Sequence, residues 1–310
     1  MAQKDTLVLA HYYVDPEIKE LADHVGDSLD LAMTAIKEKS KRIIFCGVRF
    51  MAETAKIMLP NTEVILPDYN STCSLVEQTN IKALKLWRQC HSEHVHVAYI
   101  NSSAEHKAES DWIVTSRNVV DIIQHLHDQG KQVMWSPDRN MGMYLRHEFG
   151  FKMPTWHAVC VVHDDIKEEQ LDDAMRGWTD YPKYLIAHPE SILPILKRAN
   201  YVGSTHGMLN WIREFPHRGG TIFVASEEGI VHDMKLARPE LDIRCAPTYD
   251  GCKCSICPYM KKNTIEAVTD AIEHGAGYKI DLPKELMDRA RLPIQRMLDF
   301  ENKQHTMEFE

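Results

Sequence analysis

The chain has 310 residues, of which 44% are apolar and 26% charged, with a formal net charge of −9. This length predicts two or three compact units with buried cores. The acidic balance argues against a nucleic-acid surface, because phosphate binding requires a basic face. No run of 18 uncharged apolar residues occurs, so we expect no membrane span. The N-terminal apolar run is too short for a signal peptide, and we expect a cytoplasmic protein.

Short apolar segments alternate with helix-like segments along the chain. Helices are predicted at residues 15–24, 27–39 and 49–59 and, by the same pattern, between the later strands. Strands separated by helices of about ten residues are typical of βαβ units and parallel sheets. The predicted strands lie at residues 6–13, 41–47, 62–67, 94–100, 110–116, 131–137, 183–189, 200–205 and 220–226.

Equivalent positions recur at a constant interval. Two sets of residues repeat every 88 positions, namely the first-strand ends His11, Tyr99 and Ala187 and the serines Ser28, Ser116 and Ser204. A third set follows the third strand of each unit in steps of 90 and consists of Gly47, Pro137 and Glu227. Equal spacing of this kind indicates an internal repeat.

The repeat predicts an α/β fold of three pseudo-threefold related αβα (three-layer) domains, with short parallel sheets around a central active site. We predict domain boundaries at residues 1–80, 81–168 and 169–256. Residues 257–310 are predicted to form a C-terminal segment whose helices pack back on the first repeat.

The eight cysteines point to a metal site more than to disulfides, because cytosolic thiols stay reduced. Cys252, Cys254 and Cys257 form one group, but the chain has no second Cys-x-x-Cys pair of the kind that structural zinc uses. Cys73 and Cys160 lie 62 and 61 residues after the strand ends of their repeats. Three units around one axis would bring three thiolates together, which suits an iron–sulfur cluster with one open iron. The alternative is that Cys73 and Cys160 are buried apolar residues.

The three repeated serines each precede a helical run. Any one of them alone would be interpreted as an N-cap. Together they predict three helix N-termini around a common centre, which would bind a multiply anionic small molecule. Histidines and tyrosines at strand carboxyl ends lie where parallel α/β sheets bind ligands and exchange protons. Other histidines are expected at the surface: His24, His91, His94, His96, His125 and His127.

Several stretches resemble the quinolinate synthase family, in order, from residue 6 to about 270. They are LAHYY (9–13), GDSLDLA (26–32), FCGVRFMAETAKIMLP (45–60), TCSL (72–75), AYINSSAEHKAESD (98–111), PDRNMG (137–142), WHAVCVVH (156–163), HPE (188–190), VGST (202–205) and CPYMKKNT (257–264). The resemblance implies three αβα domains around a [4Fe–4S] cluster held by three cysteines. It also implies a transferase that condenses iminoaspartate with dihydroxyacetone phosphate, releasing phosphate and two waters, to make quinolinate for NAD biosynthesis.

Carried over position by position, the resemblance implies the cluster ligands Cys73, Cys160 and Cys257. It implies substrate contacts at His11, Tyr13, Ser28, Tyr99, Asn101, Ser116, His163, His188, Glu190, Ser204 and Thr205. Of these, Tyr13, Tyr99, His188 and Glu190 are predicted to act as acids and bases, while the open iron binds the leaving substrate oxygen. Cys252 and Cys254 are expected to be spare thiols near the surface. Transient contact with L-aspartate oxidase is a further expectation.

Two other functions stay open at this point. One is another hydro-lyase of the aconitase type, in which an open iron removes a hydroxyl from a hydroxy acid. The other is a repeat scaffold that binds a small anion without catalysis, its cysteines being structural or redox-sensing. An anaerobic visible spectrum with and without quinolinate distinguishes these functions.

Overall fold

A computed structural model describes residues 5–176, 182–248 and 255–307, with side chains up to Lys303. The first unit contains the parallel strands β1 (Thr6–His11), β2 (His24–Gly26), β3 (Arg42–Cys46) and β4 (Glu63–Leu66). Its helices are α1 (Pro16–Leu21), α2 (Ser28–Glu38), α3 (Arg49–Met58) and α4 (Ser74–Glu77). The strand order is β4-β3-β1-β2, and β1 and β3 are continuous apolar runs because both faces of the sheet are covered.

The second unit repeats this arrangement with three strands, β5 (Val95–Tyr99), β6 (Trp112–Val114) and β7 (Val133–Ser136), in the order β6-β5-β7. Its helices are α5 (Ile81–Cys90), α6 (Ala104–Ala108), α7 (Val119–Asp128), α8 (Arg139–Glu148) and α9 (Val161–Asp164). The fourth strand position holds only two single parallel bridges, which join Trp135 to Thr155 and Asp138 to Ala158.

The third unit has the parallel strands β8 (Lys183–Ala187), β9 (Tyr201–Val202), β10 (Thr221–Ala225) and β11 (Asp242–Cys245), in the order β11-β10-β8-β9. Its helices are α10 (Glu168–Arg176), α11 (Leu193–Arg198), α12 (Thr205–Glu214) and α13 (Glu228–Ala237). Alternate residues of β8 point to opposite faces. Ile186 therefore packs in the main core, whereas Leu185 and Ala187 pack in a second apolar cluster.

The C-terminal segment joins the first two units. It contains a 3-10 turn (Met260–Lys262), α14 (Ile265–His274), β12 (Tyr278–Lys279) and α15 (Lys284–Met307). Strand β12 pairs antiparallel with β4, so the first sheet has five strands. Helix α15 packs against α6 and β6 of the second unit and against α3 of the first. Among the helices of the described residues, none is long and apolar enough to cross a membrane.

The three sheets, parallel except for β12, confirm the predicted α/β fold class. Each unit has a central strand that ends at the predicted position (His11, Tyr99 or Ala187), with the second strand on one side and the third on the other. The domain boundaries themselves stay a prediction.

Two local predictions were wrong. The helix predicted at residues 15–24 ends at Leu21, because His24 pairs with Leu9 in the parallel ladder of β1 and β2. His96, which we expected at the surface, is fully buried on β5. Its Nε2 lies 2.7 Å from the Ser136 hydroxyl and its Nδ1 lies 3.0 Å from the Glu109 carbonyl, and these partners satisfy both ring nitrogens.

Candidate active site

A cavity of about 70 Å³ lies where the carboxyl ends of strands from all three sheets meet. His11 and Tyr99 end β1 and β5, and His188 directly follows β8. With one exception, Ser204, every site residue predicted above lines this cavity. The structure therefore brings together the strand ends that the sequence analysis selected in the three repeats. The roles of these residues stay predictions.

The three predicted ligand cysteines approach the cavity from separate segments. Cys73 immediately precedes α4, Cys160 immediately precedes α9, and Cys257 lies before the 3-10 turn of the C-terminal segment. Burial raises the pKa of each thiol, that of Cys257 to about 11, and the nearby Glu190 carboxylate raises all three further. Cys252 and Cys254 lie outside the described residues.

The donor set fits a group held by three thiolates. Thiolates select soft metals and iron–sulfur clusters. Because the pKa values of these thiols are raised, they hold their protons until a bound metal supplies compensating positive charge, as metal binding to cysteine does in general. A second possible donor group is formed by Cys160, His163 and Glu190, whose ligand atoms lie within 4.8 Å of one another. These three side chains already contact each other, since His163 Nδ1 lies 3.2 Å from Cys160 Sγ and 2.8 Å from Glu190 Oε2.

Glu190 is one of two buried acidic residues that line the cavity, the other being Asp27. The Glu190 carboxylate accepts hydrogen bonds from Asn101 Nδ2 at 3.3 Å, from His163 and from the Tyr99 hydroxyl. Burial by itself would raise the pKa of this carboxyl. His188, His163 and Tyr99 outweigh burial and lower the pKa to about 2. Glu190 is therefore ionised at neutral pH and can accept a proton.

Two histidines of the cavity are neutral at neutral pH. Burial lowers the pKa of His11 and of His188 to about 3. His11 Nδ1 accepts a hydrogen bond from the Tyr13 backbone N–H at 3.2 Å. The His188 ring stacks on His163, with 4.7 Å between the ring centroids. A neutral imidazole can either accept or donate a proton, which suits acid–base work.

A chain of hydrogen bonds leads from Tyr13 to Glu190. The Tyr13 hydroxyl lies 2.9 Å from Thr205 Oγ1 and 3.0 Å from Ser226 Oγ, and Ser226 Oγ lies 3.2 Å from His163 Nε2. Burial raises the pKa of Tyr13 and keeps its phenol protonated. It does the same for the Tyr99 phenol.

Of the hydroxyl groups that line the cavity, we call one from each unit, those of Ser28, Ser116 and Thr205, the hydroxyl triad. The N-cap interpretation is correct for one repeated serine only. Ser204 caps α12 by accepting from Gly207 N at 3.0 Å. In the first unit Asp27 is the cap of α2, and in the second Asn118 directly precedes α7. Because the Ser204 hydroxyl is engaged by the N-terminus of α12, Ser204 does not line the cavity, and Thr205 is the residue of this segment that does.

A network of polar contacts joins the segments that carry the hydroxyl triad. Arg117 Nη2 lies 3.1 Å from Asp27 and 2.9 Å from Asp30, and His206 Nδ1 lies 3.1 Å from Asp30. The Asp27 side chain also accepts from the Leu29 and Asp30 amides of α2, so these two amides already have a partner. Among the described residues that line the cavity, none is Lys or Arg.

The sequence analysis missed three supporting residues that follow third strands of the repeat. Ser226 links Tyr13 to His163, as described. The Glu227 carboxylate accepts from the backbone N–H of Cys257 at 3.2 Å. The fully buried Asp138 side chain accepts from the backbone N–H of Cys160. The sequence contained a signal for these residues. Glu227 belongs to the set that recurs in steps of 90, Ser226 directly precedes it, and Asp138 directly follows Pro137 of the same set.

The fold and the cavity define a three-unit α/β protein with a thiol-lined site at its strand carboxyl ends. Residues 1–299 match the family model described as Quinolinate synthetase A protein. The chain is 39% identical over 299 residues to a quinolinate synthase of Cyanophora paradoxa, covering 96% of this chain and 89% of that protein. It is 39% identical over 295 residues to one of Synechocystis sp. (95% and 91%) and 38% identical over 301 residues to one of Prochlorococcus marinus (97% and 88%). The chain therefore belongs to the quinolinate synthetase A family.

Proposed function

We propose that the protein is a quinolinate synthase, a transferase of NAD biosynthesis that condenses iminoaspartate with dihydroxyacetone phosphate. One phosphate and two waters leave, and the remaining atoms form quinolinate, a pyridine ring with two carboxylates. The observation that carries this proposal is the approach of Cys73, Cys160 and Cys257, from three separate segments, to one cavity that also holds Glu190. Family membership supports it over a hydro-lyase or a non-enzymatic scaffold.

The three cysteines would hold a [4Fe–4S] cluster with one iron that has no protein ligand. When bound, such a group supplies a Lewis acid for removal of a substrate hydroxyl. The side chains around it supply the proton transfers that ring formation requires. L-aspartate oxidase, which would supply the unstable iminoaspartate, is the partner that we propose.

The protonation states divide the acid and base roles. Ionised Glu190 is the proton acceptor, and neutral His188 beside it can relay a proton. Tyr13 and Tyr99 keep their phenolic protons and act as donors to substrate oxygen or nitrogen. The path through Ser226 and the His163 ring allows a proton to move between Tyr13 and the Glu190 carboxylate.

Both proposed substrates are anions, yet no Lys or Arg is found among the described lining residues. The hydroxyl triad offers hydrogen-bond donors from three directions to carboxylate or phosphate oxygens. Thr205, the first residue of α12, also lies at the positive end of a helix dipole. Asn101 and the neutral His11 are further polar residues of the cavity wall.

The test is anaerobic reconstitution with iron and sulfide, followed by chromatographic measurement of quinolinate. Cys73→Ala, Cys160→Ala and Cys257→Ala are each expected to give colourless, inactive protein. Cys90→Ala, which changes an exposed thiol at the end of α5, is the matched control and should stay brown and active. Cys252→Ala and Cys254→Ala should also stay brown and active. Quinolinate synthesis that survives complete removal of iron would refute the proposal.

A further inference from the structure

Lys107, on α6, is a fully buried lysine that does not line the cavity. Its Nζ donates hydrogen bonds to the backbone carbonyls of Ile100, at 2.9 Å, and of Ser102. The ammonium also lies 5.3 Å from the centroid of the Phe50 ring, which is within cation–π range. Burying a charge is costly unless it is paired and hydrogen-bonded, so the contacts of this side chain indicate what it holds in place.

The segment that Lys107 holds is a tight turn at the edge of the cavity. Ser102 N donates to Ile100 O at 2.8 Å, which is the hydrogen bond of a γ-turn with Asn101 at its centre. Lys107 contacts the carbonyl on each side of Asn101. Ile100 and Asn101 both line the cavity. The ammonium, which does not itself line the cavity, therefore holds the turn that places Asn101 at the cavity wall. We call these contacts the clamp.

A residue of the first unit completes the clamp. Glu53, buried on α3, accepts a hydrogen bond from Ala104 N at 2.9 Å, two residues after the turn. Burial lowers the pKa of the Lys107 ammonium to about 7, and the Glu53 carboxylate is the largest influence that opposes this loss of charge. Glu53 thus holds the chain after the turn and favours the charged form of Lys107.

The side-chain amide of Asn101 has a hydrogen-bond partner for its nitrogen but none for its oxygen among the described residues. Its Nδ2 donates to Glu190 Oε1 at 3.3 Å. Its Oδ1 is buried and has no hydrogen-bond partner among the described residues. A buried unpaired acceptor costs about 1–3 kcal/mol, and at a cavity wall a ligand donor can remove this cost.

We propose that Lys107 and Glu53 are positioning residues that fix Asn101 against Glu190, so that Asn101 Oδ1 can accept a hydrogen bond from an N–H or O–H group of the substrate. The proposal rests on the proposed function for the identity of the substrate. The clamp itself is independent of that function, because it consists of contacts within the free protein.

A double-mutant cycle tests whether Lys107 acts through Asn101. Lys107→Met removes the ammonium and keeps much of the side-chain length. We expect it to lower kcat/KM about 10- to 100-fold, because small misplacements of positioning groups have effects of this size. In an Asn101→Ala background the same change should have no further effect beyond about twofold. Equal losses in both backgrounds would mean that Lys107 has a general structural role and would overturn the proposal.

Lys56→Met is the matched control. Lys56, on α3, also clamps two loop carbonyls, those of Pro60 and Thr62, at 3.0 and 2.9 Å. These loop residues do not line the cavity. The control should keep wild-type kcat and KM even if the stability of the protein falls. A loss of kcat/KM as large as that of Lys107→Met would contradict a specific role for Lys107.

Hydrogen–deuterium exchange tests the clamp without any turnover. In the anaerobic protein, amides of residues 100–104 should exchange faster in Lys107→Met than in wild type or Lys56→Met. If Lys107→Met does not fold, Glu53→Met, which removes the acceptor for Ala104 N, provides the same comparison. Unchanged exchange would refute the clamp. Faster exchange in a protein that makes no quinolinate would refute the proposed function and leave the clamp supported.

Discussion

Ser136, the last residue of β7, places its hydroxyl between two buried histidine rings. Nε2 of His96 and Nε2 of His106 each lie 2.7 Å from Ser136 Oγ. His96 Nδ1 faces the Glu109 carbonyl, which only accepts, so Nδ1 carries the proton of the neutral ring. The Ser136 hydroxyl therefore donates to His96 and accepts from His106. All three side chains are at most 1% exposed.

The Ser136→Ala change removes both of these hydrogen bonds. Each ring is left with a buried, unpaired nitrogen, which costs about 1–3 kcal/mol. The space of one hydroxyl oxygen is smaller than a water molecule needs, so solvent does not replace the lost partner. We therefore expect the free energy of unfolding to fall by about 2–6 kcal/mol, a large part of the 5–15 kcal/mol that is usual for folded proteins.

The assay is urea unfolding of wild type, Ser136→Ala and Ser40→Ala, followed by tryptophan fluorescence at pH 7.5. Ser40 is the matched control, because it is 1% exposed and its hydroxyl has no hydrogen-bond partner among the described residues. Ser40→Ala should not lower the free energy of unfolding and, because it removes a buried unpaired hydroxyl, should raise it by about 1–3 kcal/mol. If Ser136→Ala costs no more than Ser40→Ala, the hydrogen-bonded histidine pair does not contribute as argued.

The remaining predictions concern pH, proton transfer and packing. Burial lowers the pKa of His96 to about 4, so as the pH falls the unfolded chain binds a proton on this residue before the folded chain does. The free energy of unfolding should therefore fall by about 3 kcal/mol on account of His96 as the pH drops from about 6.5 to about 4. A free energy of unfolding that stays constant over this range would exclude this contribution of His96. Tyr13→Phe and Tyr99→Phe should keep the visible spectrum but lose about 10²–10⁴-fold in turnover, and wild-type rates would assign both rings to packing. Gly229→Ala would place a Cβ 2.8 Å from Tyr13 Cα, which should cost about 1–3 kcal/mol and slow turnover, whereas Gly219→Ala has open space and should have neither effect.

Much of the fold could be predicted because the buried strands are long apolar runs. β1, β5 and β8 have five or six residues each, and their ends follow the 88-residue interval. The short strands β9 and β12 have two residues each, too few to show a period. β9 was predicted because residues 200–205 repeat the alternation of strands and helices seen in the earlier units. β12 was missed because it pairs with β4 across more than 200 residues of chain.

The candidate site shows the same division. The sequence by itself determined which residue types stand at the strand ends and which cysteines share a position in the repeat. Only the tertiary structure decided that Ser204 turns into its helix while Thr205 reaches the cavity, that His96 is buried against Ser136, and that Lys107 clamps the turn around Asn101. The physical reason is that local burial leaves a periodic pattern in the chain, whereas a side chain's hydrogen-bond partners depend on where the backbone places distant groups.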